Sequence, residues 1–334
     1  MTETSVAATR DGRIGKIVLN RPKALNALDL PMIEAIAAAL TAWRDDRAVE
    51  AVVIDSAIER AFCAGGDIRA VRSHALAGET AQIEAFFGTE YQLNAQIAEY
   101  PKPYIALIDG ICMGGGIGIS VHGKVRVTSE HGLFAMPETA IGMFPDVGAT
   151  YFLPRLPGAM GTYLGLTGQR LTGADAVHAG LATHYVPRAA LPALRAALAE
   201  HGASAIPAHA QELPAFTLAA HVPAINRCFA AATLGEIEAN LKAEGTEWAA
   251  ATLATLLAMS PSALCWSLAA IRRGAAQDLR TALDAELRLT RHVTMHRDFA
   301  EGIRAMVVDK DRQPKWVPVT LAEVDAAEIA AMLA

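Results

Sequence analysis

Glu138 and Asp146 lie eight residues apart in "AMPETAIGMFPDVG", a stretch otherwise built of apolar residues, prolines, glycines and threonine. Almost nothing nearby in the sequence neutralises them. An acid in apolar surroundings is costly to bury, and proteins keep one where it moves a proton or grips a polar group. The plain alternative is a capping acid followed by a turn aspartate. A third acid, Glu90, sits in "ETAQIEAFFGTEYQLNAQIAEY". Ile83, Phe86, Phe87 and Ile97 mark one helical face there, and Glu90 falls on it, four residues after Phe86 and seven from Ile83 and Ile97. Burial raises the pKa of such a carboxyl; the competing reading is a helix end reaching solvent. Two glycine clusters complete the set: Gly65-Gly66 after "VVIDSA", and Gly114-Gly115-Gly116 after "YIALIDGICM". Glycine lets the backbone approach a ligand closely. The second cluster opens a predicted helix, Gly116 to His122, whose first N–H groups favour negative charge. Two N–H donors aimed at one oxygen make an oxyanion hole, each worth ~2.7–4 kcal/mol to a transition state. Two tight turns explain the same glycines.

These residues need a frame. "GKIVLN" alternates as a strand does, and "VEAVVIDSA" and "YIALIDG" are short continuous apolar runs of the kind found in buried strands. Asp29 and Pro31 open a helix on which Met32, Ile36, Leu40 and Trp43 recur at helical spacing. A helix is predicted over Glu79 to Glu99, then short strands in "KVRVTSE" and "LFAMPE". Alternating strands and helices imply a layered α/β core. Strand signals vanish from about residue 205, so the expected division is a core over 1–204 and a helical region over 205–334.

The 334 residues suffice for one large domain, or a core with an appendage. A net charge of −6 argues against a nucleic-acid partner. No stretch approaches the ~20 apolar residues of a membrane span. The first twenty residues lack a secretory apolar region and an Arg-rich amphipathic leader, so a cytoplasmic location is expected. Cys63, Cys112, Cys228 and Cys265 form no CxxC pair and read as reduced thiols.

Several motifs fail on inspection. "HVTMH" spaces His292 and His296 as a zinc-protease helix does, but Val293 stands where the glutamate belongs. "GISVHG" around Ser120 has its second glycine one place late for a nucleophile elbow. "GGGIGI" carries Ile119 in place of the third dinucleotide-binding glycine. No metal site is expected.

In register, "AFCAGGDIR", "ICMGGGIGIS" and "PETAIGMFPDVG" resemble the enoyl-CoA hydratase/isomerase (crotonase) superfamily over most of the chain. "FPDVGATYFLPRL", "MSPSALCWSLAAIRRG" and "DFAEGIRAMVVDKDRQPKWVP" are similar to its hydrolase branch, which cleaves 3-hydroxyisobutyryl-CoA in valine breakdown. The resemblance implies an α/β fold: a crotonase-like spiral of ββα repeats with a C-terminal helical region. It implies an acyl-CoA ligand whose thioester oxygen accepts N–H bonds from Gly66 and Gly115. Hydratases of the superfamily carry a first glutamate three residues after the second oxyanion glycine; here Gly118 stands there. Their second glutamate corresponds to Glu138. The hydrolases pair Glu138 with Asp146, and their acid near the acyl group matches Glu90.

The implied catalytic set is therefore Glu138, Asp146, Gly66 and Gly115, with Glu90, Gly114 and Gly118 against the acyl group. Lys23, Ala24, Leu25, Ala64, Asp67 and Ile68 would hold coenzyme A. No cofactor is expected, coenzyme A being part of the substrate, and the resemblance suggests a homotrimer or hexamer. The alternatives are a hydratase or isomerase relying on Glu138 alone, and a non-catalytic acyl-CoA-binding protein.

Overall fold

A computed structural model describes residues 4–333 and divides the chain into two compact units, each assembled from three stretches. The first comprises residues 1–66, 89–134 and 171–217; the second comprises residues 67–88, 135–170 and 218–334.

The first unit holds the strands: β1 (Val6–Asp11), β2 (Ile14–Leu19), β3 (Ala51–Ser56), β4 (Ala61–Cys63), β5 (Tyr104–Ile108), β6 (Ile111–Met113), β7 (Val125–Thr128), β8 (Leu133–Ala135), β9 (Leu171–Thr172) and β10 (His184–Tyr185). One sheet runs β1-β2-β3-β5-β7-β10, the other β4-β6-β8-β9. Three successive strand pairs, β3/β4, β5/β6 and β7/β8, each give their first member to the large sheet and their second to the small one. That alternation winds the chain into a spiral. β2, β3, β5, β7 and β10 pair in parallel, and β1 closes one edge antiparallel.

The apolar runs follow from this arrangement. Every residue of "YIALI" in β5 is buried because both sheet faces are covered. On one face Val53, Ile105, Leu107 and Val127 pack with Leu191, Leu194 and Leu198 of helix Leu191–His201. Helix Leu30–Trp43 buries Met32, Ile33, Ile36 and Leu40, and Asp29 caps it by accepting the Met32 N–H at 3.0 Å.

The second unit is helical. Its helices start on local caps: Thr233 and Glu236 form a reciprocal box, and Ser260 accepts the Ala263 N–H ahead of Pro261–Gly274. Trp266 and Phe299 are fully buried in it. Residues 205–334 contribute no strand among the described elements. No single helix among the described residues is long and apolar enough to cross a membrane; one pair bent by 107° passes only jointly.

Candidate active site

The first unit brings three of the expected residues to one point. Gly66 follows β4 and Gly115 follows β6, parallel neighbours in the small sheet, so both loops emerge from the same sheet end. Gly114 turns at φ 47°, and the helix begins at Gly115, one residue earlier than predicted, running to Val121. A Cβ placed on Gly115 would stand 3.2 Å from the Gly66 nitrogen, 2.5 Å from Glu90 Oε1 and 3.3 Å from the Leu28 methyl. Gly115, the Gly66 amide and the Glu90 carboxyl therefore border one hollow that any side chain at 115 would fill. Glu90 is 2% exposed, on the face of helix Thr80–Ala98 that its spacing predicted, with Ile83, Phe86, Phe87 and Ile97 buried alongside. Gly118 is buried inside the short helix and offers no acid.

Cys63, next to this loop, is no competing nucleophile. Burial pushes its thiol up to about 12, and the Glu90 charge adds in the same direction against a lowering bond to Gly65.

The loop expected to hold coenzyme A is tied to the end of β4. Lys23 is exposed on the turn Pro22–Ala24, and Leu25 has φ 50°. The Ala64 N–H donates to Leu25 O at 3.0 Å and the Leu28 N–H to Gly65 O at 2.8 Å. Asn26, fully buried with φ 58°, donates to Ser56 Oγ and Phe62 O while accepting from the Arg21 N–H. Asn26 carries no reactive-group signal in the sequence, because its work is structural. In the second unit Asp67 caps the helix that starts at Ile68, accepting the Ala70 N–H at 3.4 Å.

Glu138 and Asp146 lie on one buried segment of the second unit, 7% and 5% exposed. Glu138 starts a one-turn helix, Glu138–Ile141, closed by Gly142 at φ 69° and by the Met143 N–H bonding back to Glu138 O at 3.0 Å. A Cβ on Gly142 would run into the backbone of Asp298, and one on Gly302 into that of Ile141. The turn thus rests directly on helix Arg297–Ile303. Asp298, fully buried, accepts Ser260 Oγ–H at 2.6 Å and the Val317 N–H at 2.9 Å. That carboxylate joins both C-terminal sequence motifs beneath Glu138. His296 serves here as the helix cap, accepting the Asp298 N–H at 3.1 Å, and His292 is exposed.

Past Asp146, Val147 and Gly148 take φ 54° and 83°, and the Ala149 N–H returns to Asp146 O at 2.8 Å. Glu286 of helix Leu279–Val293 reaches this turn. Oε2 accepts the Gly148 N–H at 2.7 Å, and Oε1 accepts the Thr150 N–H at 3.0 Å and its hydroxyl at 2.5 Å. Burial lifts Glu286 to about 8; the bonds from Thr150 and Gly148 work against this, and the charge of Asp146 adds to it. Glu286 was missed in the sequence although its signal matches that of Glu90: it sits three residues from both Leu283 and Leu289 on a buried helical face.

With this geometry established, the chain belongs to the enoyl-CoA hydratase/isomerase family, whose profile matches residues 14–333. The fold is the crotonase α/β spiral with a helical C-terminal region. The "3-hydroxyisobutyryl-CoA hydrolase, mitochondrial" of Xenopus tropicalis is 46% identical over 329 residues, covering 95% of this chain and 85% of that protein. The human protein of the same name is 44% identical over 336 residues, covering 97% and 87%. A crystal structure described as a carnitinyl-CoA dehydratase from Mycobacterium thermoresistibile superposes with TM-score 0.95 at 42% identity, covering 99% of this chain and 97% of that one. Relatives at similar identity thus carry names for different reactions, so the side chains at the site must discriminate.

Proposed function

We propose that the protein hydrolyses a β-hydroxyacyl-CoA thioester, 3-hydroxyisobutyryl-CoA in valine catabolism. The observation that carries this reading is the meeting of Gly115, the Gly66 amide and Glu90 at one hollow, in a chain where Gly118 replaces the hydratase glutamate.

The thioester oxygen takes its hydrogen bonds from the Gly66 and Gly115 N–H groups, which hold the charge that develops when the carbonyl is attacked. Glu138 either removes a proton from the attacking water or attacks to give an acyl-enzyme that water then opens; both routes need its carboxylate ionised. The C–S bond breaks, Asp146 helps deliver a proton to the departing thiolate, and the free acid and coenzyme A leave. Glu90 accepts a hydrogen bond from the β-hydroxyl, which selects hydroxyacyl over plain acyl chains. Lys23, Ala24, Leu25, Ala64, Asp67 and Ile68 hold the nucleotide end. The reaction needs no metal or redox cofactor, because a thioester is already activated and a thiolate leaves readily. The acyl-CoA acts without nucleic acid or membrane, and a homotrimer or hexamer is the assembly we expect.

The vertebrate relatives are named mitochondrial; the cytoplasmic reading for this chain is decided by fractionating its own cells. Free-thiol release from 3-hydroxyisobutyryl-CoA, followed beside crotonyl-CoA absorbance, tests the reaction. Thiol release supports the hydrolase, loss of the conjugated double bond a hydratase, and binding without turnover a scaffold.

A further inference from the structure

We propose that Glu286 is a positioning residue for the reaction: it grips the turn Val147–Thr150 and through that turn sets the side chain of Asp146. The inference rests on the assignment of Asp146 made above.

The carboxyl of Glu286 is 1% exposed on a helix whose buried face is otherwise Ala282, Leu283, Leu289, Thr290 and Val293. Placing an acid among these residues is costly unless its oxygens are satisfied. Its donors all come from one place, the Gly148 and Thr150 amides and the Thr150 hydroxyl. That turn is one the chain would not adopt unaided. Val147 is β-branched yet holds φ 54°, a region such residues rarely occupy. Non-glycine residues persist there when the surroundings over-determine them, and such strain gathers at functional sites. Asp146 is the first residue of the same turn, fastened by the Ala149 N–H.

The charge of Asp146 adds to the lift that burial gives Glu286, and Arg273 and Gln277 line with Glu286 a cavity of about 20 Å³. That space admits one water, so a proton has a polar neighbour on the far side of the carboxyl. A carboxyl accepts from both backbone amides whether or not it is protonated, whereas an amide side chain turns an NH2 toward one of them. Glu286→Gln is therefore near-isosteric and still breaks the grip.

The test measures thiol release from 3-hydroxyisobutyryl-CoA by the full-length protein and by Glu286→Gln, Asp146→Asn and the double variant. Misplacing a reacting group by about 1 Å costs of order 100-fold, so Glu286→Gln should lose about 10- to 100-fold in kcat with KM within about twofold. The double variant should be no slower than Asp146→Asn alone, a non-additivity that a general loss of stability does not produce. Normal turnover by Glu286→Gln, or losses that multiply in the double variant, would overturn the proposal. Should Glu286→Gln not fold, Thr150→Val keeps both amide bonds and removes only the hydroxyl. A several-fold fall in kcat at constant KM then supports the proposal, and unchanged kcat overturns it. Wild-type protein that releases no thiol defeats the hydrolase reading and this inference with it, a result distinct from an active wild type whose Glu286→Gln variant is equally active.

Discussion

A Cβ on Gly115 would stand 2.5 Å from Glu90 Oε1. The glycine is thus required by a carboxyl and not by its own backbone conformation, which is that of an ordinary first helical residue. Gly115→Ala pushes Glu90 aside and fills the space in front of the Gly66 amide. Losing one oxyanion donor costs ~10²–10³ in kcat, and kcat/KM for the hydroxyacyl-CoA should fall by at least that much. Far-ultraviolet circular dichroism should stay unchanged, since the site lies at a loop end. Steady-state thiol release checks the first expectation and the spectrum the second.

The pH dependence of stability follows from Glu286. Its folded-state pKa is raised from 4.5 to about 8, so between these values the folded protein binds more protons than the unfolded chain. The stabilisation held through the neutral carboxyl is complete below pH 4.5 and is lost as pH rises through about 8. Urea unfolding at pH 5 and pH 9 should show the wild type losing more stability across that interval than Glu286→Gln, which has no carboxyl to titrate. Equal losses would contradict the shift.

Gly142 fixes the turn that carries Glu138. At φ 69°, with the Asp298 backbone where a Cβ would sit, alanine is both conformationally strained and overpacked. Each effect costs about 1–3 kcal/mol. Gly142→Ala should lower the unfolding free energy by about 2–6 kcal/mol, read from urea titration. Its kcat should also fall, because Glu138 begins the displaced turn.

Asn26→Ala tests the loop proposed for coenzyme A. The change strands the Arg21 N–H and the Phe62 carbonyl that Asn26 now satisfies, at about 1–3 kcal/mol each. The loop Lys23–Leu25 would lose its side-chain tie to Phe62 and keep only the backbone bonds of Leu25 and Leu28 to Ala64 and Gly65. KM for the acyl-CoA should therefore rise more than kcat falls, which initial-rate kinetics over a range of substrate concentrations reads directly.

Much of this was legible in the sequence because its causes are local. β3 and β5 announced themselves as apolar runs because both faces of their sheet are buried there. Glu90 declared its burial by spacing, since it shares one helical face with Ile83, Phe86, Phe87 and Ile97, all buried. Glu286 carried the same periodic signal, but its meaning did not. Its partners, Gly148 and Thr150, lie more than 130 residues earlier, and no local rule links them. Asp298 was hidden for the same reason, its partners Ser260 and Val317 coming from opposite sides in the chain. The two C-terminal motifs that it joins were visible as a resemblance, while their physical purpose beneath Glu138 was not. His296 shows the converse case, a residue whose spacing suggested a metal ligand and whose task is to cap a helix.

The central claim is that Glu138 drives thioester cleavage. Thiol release from 3-hydroxyisobutyryl-CoA by the wild type and Glu138→Gln, with substrate binding measured on both, tests it most directly. Rapid release by the wild type is expected, with a loss of at least about 10³-fold in the variant and near-equal binding. Undiminished release by Glu138→Gln, or a wild type that consumes crotonyl-CoA and liberates no thiol, would contradict it.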